Sequence, residues 1–197
     1  MKNDEPNNLI LLSILIPTVN GRERFFEHIT RKLTKQINQV GSDLVQLLFY
    51  KDRKGEHTTG YKRNVLIQNA KGKFVVFVDD DDDVSQDYVK SIVDKIALNP
   101  DLDAIGINGI YTSNGVQTPF ETGARWNWEM TNGYYTRFIN HISPVKRAHA
   151  LKIKFPDTTI GEDYDWTMNL KKSGLIKESE TIKKSIYYYD YRANKND

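Results

Sequence analysis

The sequence predicts an α/β fold with a mostly parallel central sheet flanked by helices, and three observations lead there. Apolar runs of strand length alternate with amphipathic runs of helix length through the first half, the pattern of parallel strands joined by crossover helices. The polar loops after the first three strands, residues 17–23, 52–59 and 79–83, then converge on the carboxyl rim of the sheet, where open α/β sheets bind ligands. The third strand runs straight into five aspartates, Asp79 to Asp83, an arrangement that packing alone does not require.

Residues 9–16 form an apolar run with Ser13 inside it; it predicts a buried strand, stopped by Pro17. Asn20-Gly21 supplies a turn. Residues 22–40 carry Phe25, Phe26, Ile29, Leu33 and Ile37 at helical spacing, with Gly41 just beyond. Residues 44–50 predict the second strand, 51–59 a polar loop, and 60–70 a helix ended by Gly72. Residues 74–78, Phe-Val-Val-Phe-Val, predict the third strand, after which Ser85 is expected to cap a helix reaching Leu98 and ending at Asn99-Pro100.

The second half is less regular and predicts a smaller mixed region. Residues 104–111 read as a strand, and aromatic, glycine-interrupted sequence continues to Ile142. Ser143-Pro144 predicts a helix start, with the cap residue followed by proline at the first helical position. Gly161-Glu162-Asp163 opens a helix to Lys172, with Gly174 past its end. Residues 181–191, rich in tyrosine, predict a final strand at an amphipathic edge, and 192–197 a disordered tail. One domain is expected over 1–197, with halves at about 9–100 and 101–191.

Composition narrows the possibilities. With 39% apolar and 27% charged residues the chain is globular in character, and 28 basic against 26 acidic residues give a formal charge of +2 that argues neither for nor against a polyanionic partner. Without cysteine there is no disulfide, zinc–thiolate site or thiol nucleophile. The run 9–16 is too short to cross a bilayer, and its flank, with two acids and only Lys2, is unlike a signal peptide. A soluble cytoplasmic protein without membrane insertion is the expectation.

Five neighbouring carboxylates repel one another unless a cation or several donors neutralise them. Alternation along an extended chain would project Asp79 and Asp81 together, suited to Mg²⁺ or Mn²⁺, which bind one or two carboxylates plus phosphate oxygens and water. The plain alternative is a solvated acidic loop ahead of a helix. An EF-hand does not fit, because counting from Asp79 the sixth position is Val84 and the twelfth Lys90. Glu162-Asp163 could be first-turn acids alone; facing a metal loop, Asp163 becomes a candidate general base. Walker A and GxGxxG patterns are absent, which removes P-loop and dinucleotide readings.

Four motifs then occur in order: Ile14-Leu15-Ile16-Pro17-Thr18-Val19-Asn20, Lys62-Arg63-Asn64, Phe77-Val78-Asp79-Asp80-Asp81-Asp82 and Gly161-Glu162-Asp163. Together they resemble a family 2 glycosyltransferase of GT-A (Rossmann-like) fold, nearest to small soluble members from phages and bacteria. The resemblance implies a metal-dependent, inverting transfer of a sugar from a nucleotide donor, a UDP-sugar foremost, to an acceptor hydroxyl. It implies that Pro17, Thr18, Asn20, Glu23 and Asp52 hold base and ribose, and that Lys62 and Arg63 meet phosphate. Asp79-Asp80-Asp81 would be the DxD motif, with Asp81 and Asp79 at a Mn²⁺ or Mg²⁺ ion. Asp163 would be the catalytic base, and Glu162 would shape the acceptor site. The chain departs from the family pattern at Val19, where an aromatic ring is usual, and after Asp52, where a second acid and a Gly-Ser pair are missing.

Trp126, Trp128 and His141 are candidate acceptor residues, whereas Trp166 is expected in the core. Two rival functions share the topology. A nucleotidyltransferase would want a glycine-rich phosphate loop after the first strand, and residues 17–24 offer only Gly21 with Arg22 and Arg24. A non-catalytic nucleotide-sugar or metal-binding module would not need Glu162-Asp163. The acceptor stays open among a glycan, a protein and a modified DNA base, the last suggested by basic helix ends such as Lys171-Lys172.

Overall fold

Seven of the eight residues of β1 (Leu12–Val19) are buried, which is why the run is apolar almost throughout. A computed structural model describes residues 10–131 and 133–191; Leu9 and the expected tail at 192–197 lie outside the described residues. Strand β1 pairs in parallel with β2 (Val45–Asp52) on one side and β3 (Phe74–Phe77) on the other. Pro17 does not stop β1 but stays in register opposite Tyr50. The even-numbered N–H groups of this segment face β2, as Leu12 and Asn20 do by bonding Leu44 and Asp52 carbonyls. Residue 17 therefore points toward β3, whose ladder has already ended at Leu15, and a missing N–H there breaks no bond.

Helix α1 (Glu23–Val40) buries Ile29, Leu33 and Ile37 along one stripe, as their spacing requires. Helix α2 (Thr59–Asn69) is N-capped by Thr58, whose hydroxyl accepts from Tyr61 N–H at 3.0 Å. After β3 come the two-residue strand β4 (Asp83–Val84) and α3 (Tyr88–Leu98). Ser85 does not cap α3, because its hydroxyl donates to Asp87 at 2.7 Å. A buried glutamine from α1 caps it instead. Gln36 accepts from Val89 N–H at 3.0 Å and donates to the Ser85 carbonyl at 2.9 Å.

Strands β5 (Ala104–Ser113) and β6 (Val116–Thr122) form a hairpin whose two-residue turn, Asn114-Gly115, has positive φ at both positions, 48° and 80°. Strands β7 (Glu129–Thr131) and β8 (Tyr134–Arg137) extend that side of the sheet. Ser143-Pro144 does not begin a helix. It leads into β9 (Val145–Lys146), where Val145 pairs antiparallel with both Val75 and Ala104 and closes the gap between β3 and β5. Proline's fixed φ suits extended chain as well as a first helical turn, so sheet closure decides. One turn of helix, α4 (Arg147–Ala150), follows, then α5 (Glu162–Ser173) and β10 (Ser179–Tyr191).

Strand β10 is not an edge over Tyr187–Tyr188, since it lies between β5, which it parallels, and β4, with which it is antiparallel. Tyr187 is accordingly fully buried, whereas Tyr188 faces outward. The sheet runs β2-β1-β3-β9-β5-β6-β8-β7, with β10 and β4 added beside β5. Alternate residues of β1 and β3 separate the core into two layers. Leu12, Ile14, Phe74 and Val76 pack with α1 and α3, while Leu15, Val75 and Phe77 pack with α2, Phe155 and α5. Trp166 belongs to the second layer and stacks on Phe155 at 4.8 Å between centroids. No helix among the described residues is long and apolar enough to cross a membrane.

Candidate active site

The five aspartates do not continue as a strand. The chain turns at once, with Asp82 N–H bonding back to the Asp79 carbonyl at 3.2 Å, and the carboxylates fan out to separate partners. Asp79 meets Arg63 Nη2 at 3.0 and 3.3 Å. Asp80 accepts from the Thr18 hydroxyl at 2.6 Å and lies 3.1 Å from Arg22, which also reaches Asp81 at 2.7 Å. Asp82 accepts from the Tyr187 hydroxyl at 2.6 Å, and Asp83 pairs with Lys32 at 2.6 Å. Donors from β1, α1, α2 and β10 thus offset the mutual repulsion.

Arg63 sits at the centre, buried between Asp79 and Glu162, whose Oε1 lies 3.4 Å from its Nε. The faces of Phe77 and Phe155 lie 4.8 and 5.7 Å from the guanidinium carbon. Burial would raise the Asp79 carboxyl, yet the Arg63 charge and the His141 hydrogen bond outweigh it and hold it below the usual carboxylate range. Burial also pushes Asp80 up, to about 6, against the pull of Thr18 and Arg22. Glu162 is raised as well: burial, joined by neighbouring Asp163, outweighs Arg63. His141 bridges the two halves of the site, with Nε2 3.5 Å from Asp79 and Nδ1 3.7 Å from Asp163.

The path of α2 sets these positions. Asn64 makes a two-way hydrogen-bonded pair with the Phe155 backbone, at 2.9 and 3.0 Å, which ties the helix to the segment ahead of Glu162-Asp163. Gly60 N–H bonds the Thr158 carbonyl at 3.0 Å, and a Cβ on Gly60 would lie 1.8 Å from the Pro156 carbonyl oxygen. Gly60→Ala must therefore force helix and loop apart, at an expected loss of about 1–3 kcal/mol. Urea unfolding reads this directly, and an unchanged midpoint would show that the loop gives way freely.

Two clefts of about 530 and 470 Å³ open on either side of Arg63, and Asp79, Thr159 and Glu162 line both. The first holds Pro17, Thr18, Lys62, Asp80 and Asp81; the second holds Trp128, His141 and Asp163. Asn20, Glu23 and Asp52 are not among the lining residues. Glu23 pairs with Lys51 at 2.7 Å on the surface. Asp52 is buried beneath the first cleft, bonded to Lys62 at 2.9 Å and to His57 N–H at 3.0 Å. Trp126 also lies away from the second cleft and donates to Glu121 at 2.8 Å. Lys171, from the basic helix end, is engaged with Asn127.

Several lining residues escaped the sequence reading. Arg22 was visible only as a cation near a turn. His57 lines the first cleft and stacks on Tyr61 at 4.5 Å, offering a flat ring where Val19 has none. Arg137, Tyr111, Tyr187 and Tyr189 line the second cleft from strands whose pairing no local pattern announced. Among the described residues no group of three or more His, Asp or Glu side chains is arranged to hold a metal ion.

The fold is similar to that of S. aureus TarS 1-349, with a TM-score of 0.63 and 20% identity over 91% of this chain and 60% of that one. The same protein in complex with UDP-GlcNAc gives a TM-score of 0.65 at 20% identity, covering 92% and 59%. The chain thus spans about 60% of the length of these solved chains. No curated protein matches it. Glycosyl transferase family 2 matches residues 30–156, more than half of the chain, taking in Lys62-Arg63-Asn64 and the aspartate run. The protein belongs to glycosyl transferase family 2.

Proposed function

We propose that the protein transfers a sugar from a uridine diphosphate sugar to an acceptor hydroxyl with inversion at the anomeric carbon, in a divalent-metal-dependent reaction with Asp163 as general base. The observation that carries this reading is the meeting of two clefts at Arg63, with Asp80 and Asp81 on one side and Asp163 on the other. A donor lying across that junction presents its anomeric carbon to the second cleft while its nucleotide occupies the first. S. aureus TarS, of like fold, has been crystallised with UDP and with UDP-GlcNAc, which favours uridine as the base.

Asp163 accepts the proton of the acceptor hydroxyl as the new C–O bond forms and the bond to the diphosphate breaks, its electron pair leaving on the β-phosphate oxygen. Attack and departure lie on opposite faces, so one displacement suffices and no enzyme nucleophile is needed. Arg63 keeps Nη1 buried with no hydrogen-bond partner among the described residues, an orphan donor suited to a diphosphate oxygen. Lys62, braced on Asp52 and the Thr18 carbonyl, adds positive charge to the first cleft, and His57 presents a face on which a base can stack. Glu162, whose carboxyl is raised by burial, lines the second cleft beside Asp163, where it can hydrogen-bond an acceptor hydroxyl.

The donor set is hard oxygen. Asp81 and Asp79 both line the first cleft and are oxygen donors suited to Mn²⁺ or Mg²⁺ completed by phosphate and water, with Arg22 on Asp81 and Arg63 on Asp79 as the cations such an ion would have to displace or share. Such an ion, when bound, neutralises charge on the departing diphosphate.

Screening nucleotide sugars for nucleoside diphosphate release with and without Mn²⁺ tests the proposal. Asp81→Ala is expected to weaken donor binding in the presence of metal by about 10- to 100-fold, read by calorimetry, the loss of one charge-assisted contact. Donor binding without turnover on any acceptor would reduce the protein to a binding module. Undiminished affinity in Asp81→Ala would remove Asp81 from the donor site.

A further inference from the structure

Arg137, at the end of β8, is the cation in the second cleft that the mechanism above does not use. It lines that cleft together with Asp163, Trp128 and Tyr135. The other cleft-lining arginines are each held by two carboxylates: Arg63 by Asp79 and Glu162, Arg22 by Asp80 and Asp81. Arg137 has no carboxylate within 4.0 Å among the described residues. Its Nε is buried without a hydrogen-bond partner among them. The guanidinium carbon lies 4.5 Å above the Trp128 ring and 6.0 Å from that of Tyr135. Stacking of this kind fixes the plane of the group and leaves its N–H edge directed sideways for an anion.

Arg137 is half-buried, and this partial burial without a paired carboxylate lowers its proton affinity from the ordinary arginine value. The nearest acid by influence is Asp163. Asp163 makes a poor permanent partner, because a carboxylate locked onto a guanidinium loses basicity and the reaction needs it as a base. The remaining acids of the cleft are taken, Asp79 by Arg63 and Asp82 by Tyr187. Arg137 also lies outside the lining of the first cleft, the side assigned to the donor nucleotide.

We infer that Arg137 recognises an anionic group on the acceptor, so that the acceptor is a carbohydrate bearing a phosphate or carboxylate close to the hydroxyl that reacts. This rests on the acceptor-side assignment of the second cleft made above. The volume of about 470 Å³ holds an acceptor unit of sugar size with its charge.

Binding of glucose 6-phosphate, glucuronate, glucose and a short DNA duplex to the UDP-saturated protein tests this by calorimetry, without need of turnover. The wild-type protein is expected to bind one or both anionic sugars about 10- to 100-fold more tightly than glucose, the range of one charged hydrogen-bonded contact. The phosphate and carboxylate arms show which anion the site takes. Arg137→Gln should erase the preference and Arg137→Lys retain part of it, with thermal melts reporting that each variant folds. Equal binding of glucose and both anionic sugars by the wild-type protein would overturn the inference. So would a parallel loss of UDP affinity in Arg137→Gln, which would move the residue to the donor side. DNA binding abolished by Arg137→Gln, with no preference among the sugars, would replace the carbohydrate with a nucleic acid. A protein that shows the anionic preference yet transfers no sugar would defeat the transferase proposal and leave this inference standing.

Discussion

Asp163→Asn is expected to lower sugar transfer by about 10²- to 10⁴-fold, the usual contribution of a positioned general base. The amide keeps the shape and the hydrogen-bonding reach of the side chain but cannot take a proton. Donor affinity should hold, because Asp163 lines the cleft opposite the one containing Asp80 and Asp81. Measured kcat should therefore collapse while the donor's dissociation constant stays near wild type. Transfer within a few-fold of wild type would remove Asp163 from proton transfer. A donor affinity that fell with the rate would instead merge the two sides of the site. Glu162→Gln offers the contrast, since Glu162 takes no proton in the proposed step and its amide can still hydrogen-bond the acceptor.

Arg63→Met should be the most damaging change to stability, about 3–5 kcal/mol, because it leaves the buried Glu162 and the half-buried Asp79 without their cation. Asp79 and Glu162 both lean on this guanidinium, and Phe77 and Phe155 flank it. A methionine fills much of the volume, so the loss isolates charge from packing. If uncompensated charge is the cause, adding Glu162→Gln to the variant recovers part of the loss. Urea unfolding checks both steps. A penalty below about 1 kcal/mol for the single variant, in the range of a solvated surface pair, would mean that water reaches this cluster freely.

The first three strands, helix α1 and the position of the acidic loop were legible because local pattern and tertiary role coincide there. An apolar run such as Phe74-Val75-Val76-Phe77 has one good fate, a strand covered on both faces. Ile29, Leu33 and Ile37 likewise announce a buried stripe before any partner is known. Ser143-Pro144 was misread because its dihedral preferences permit two outcomes, and only the gap between β3 and β5 selects the extended one. Ser85 was credited with a cap that Gln36 provides, since a glutamine in the middle of α1 gives no sign of which helix it will meet. The expectation that Asp79 and Asp81 share a face assumed a continuing strand, whereas the chain turns after Val78.

The cleft on the Asp163 side was the least legible part. Trp126 and Trp128 are two residues apart and chemically identical, yet one bonds Glu121 outside the cleft and the other lines it beneath Arg137. Tyr187 comes from a strand whose partners β4 and β5 are far away in sequence, so no window of residues contains its environment.

Sequence alone determined which groups are available: a carboxylate cluster at the end of a buried strand, a Lys-Arg pair opening a helix, and two acids opening another. Those follow from periodicity and from the position of polar residues against apolar runs, which are properties of neighbours along the chain. Tertiary structure decided the distribution of charge among them, giving Asp79 and Glu162 to Arg63, Asp80 and Asp81 to Arg22, and leaving Arg137 without a carboxylate among the described residues. The reason is that Coulomb and hydrogen-bond energies depend on separations of a few ångströms in a desolvated interior, and only packing of the sheet and helices sets those separations.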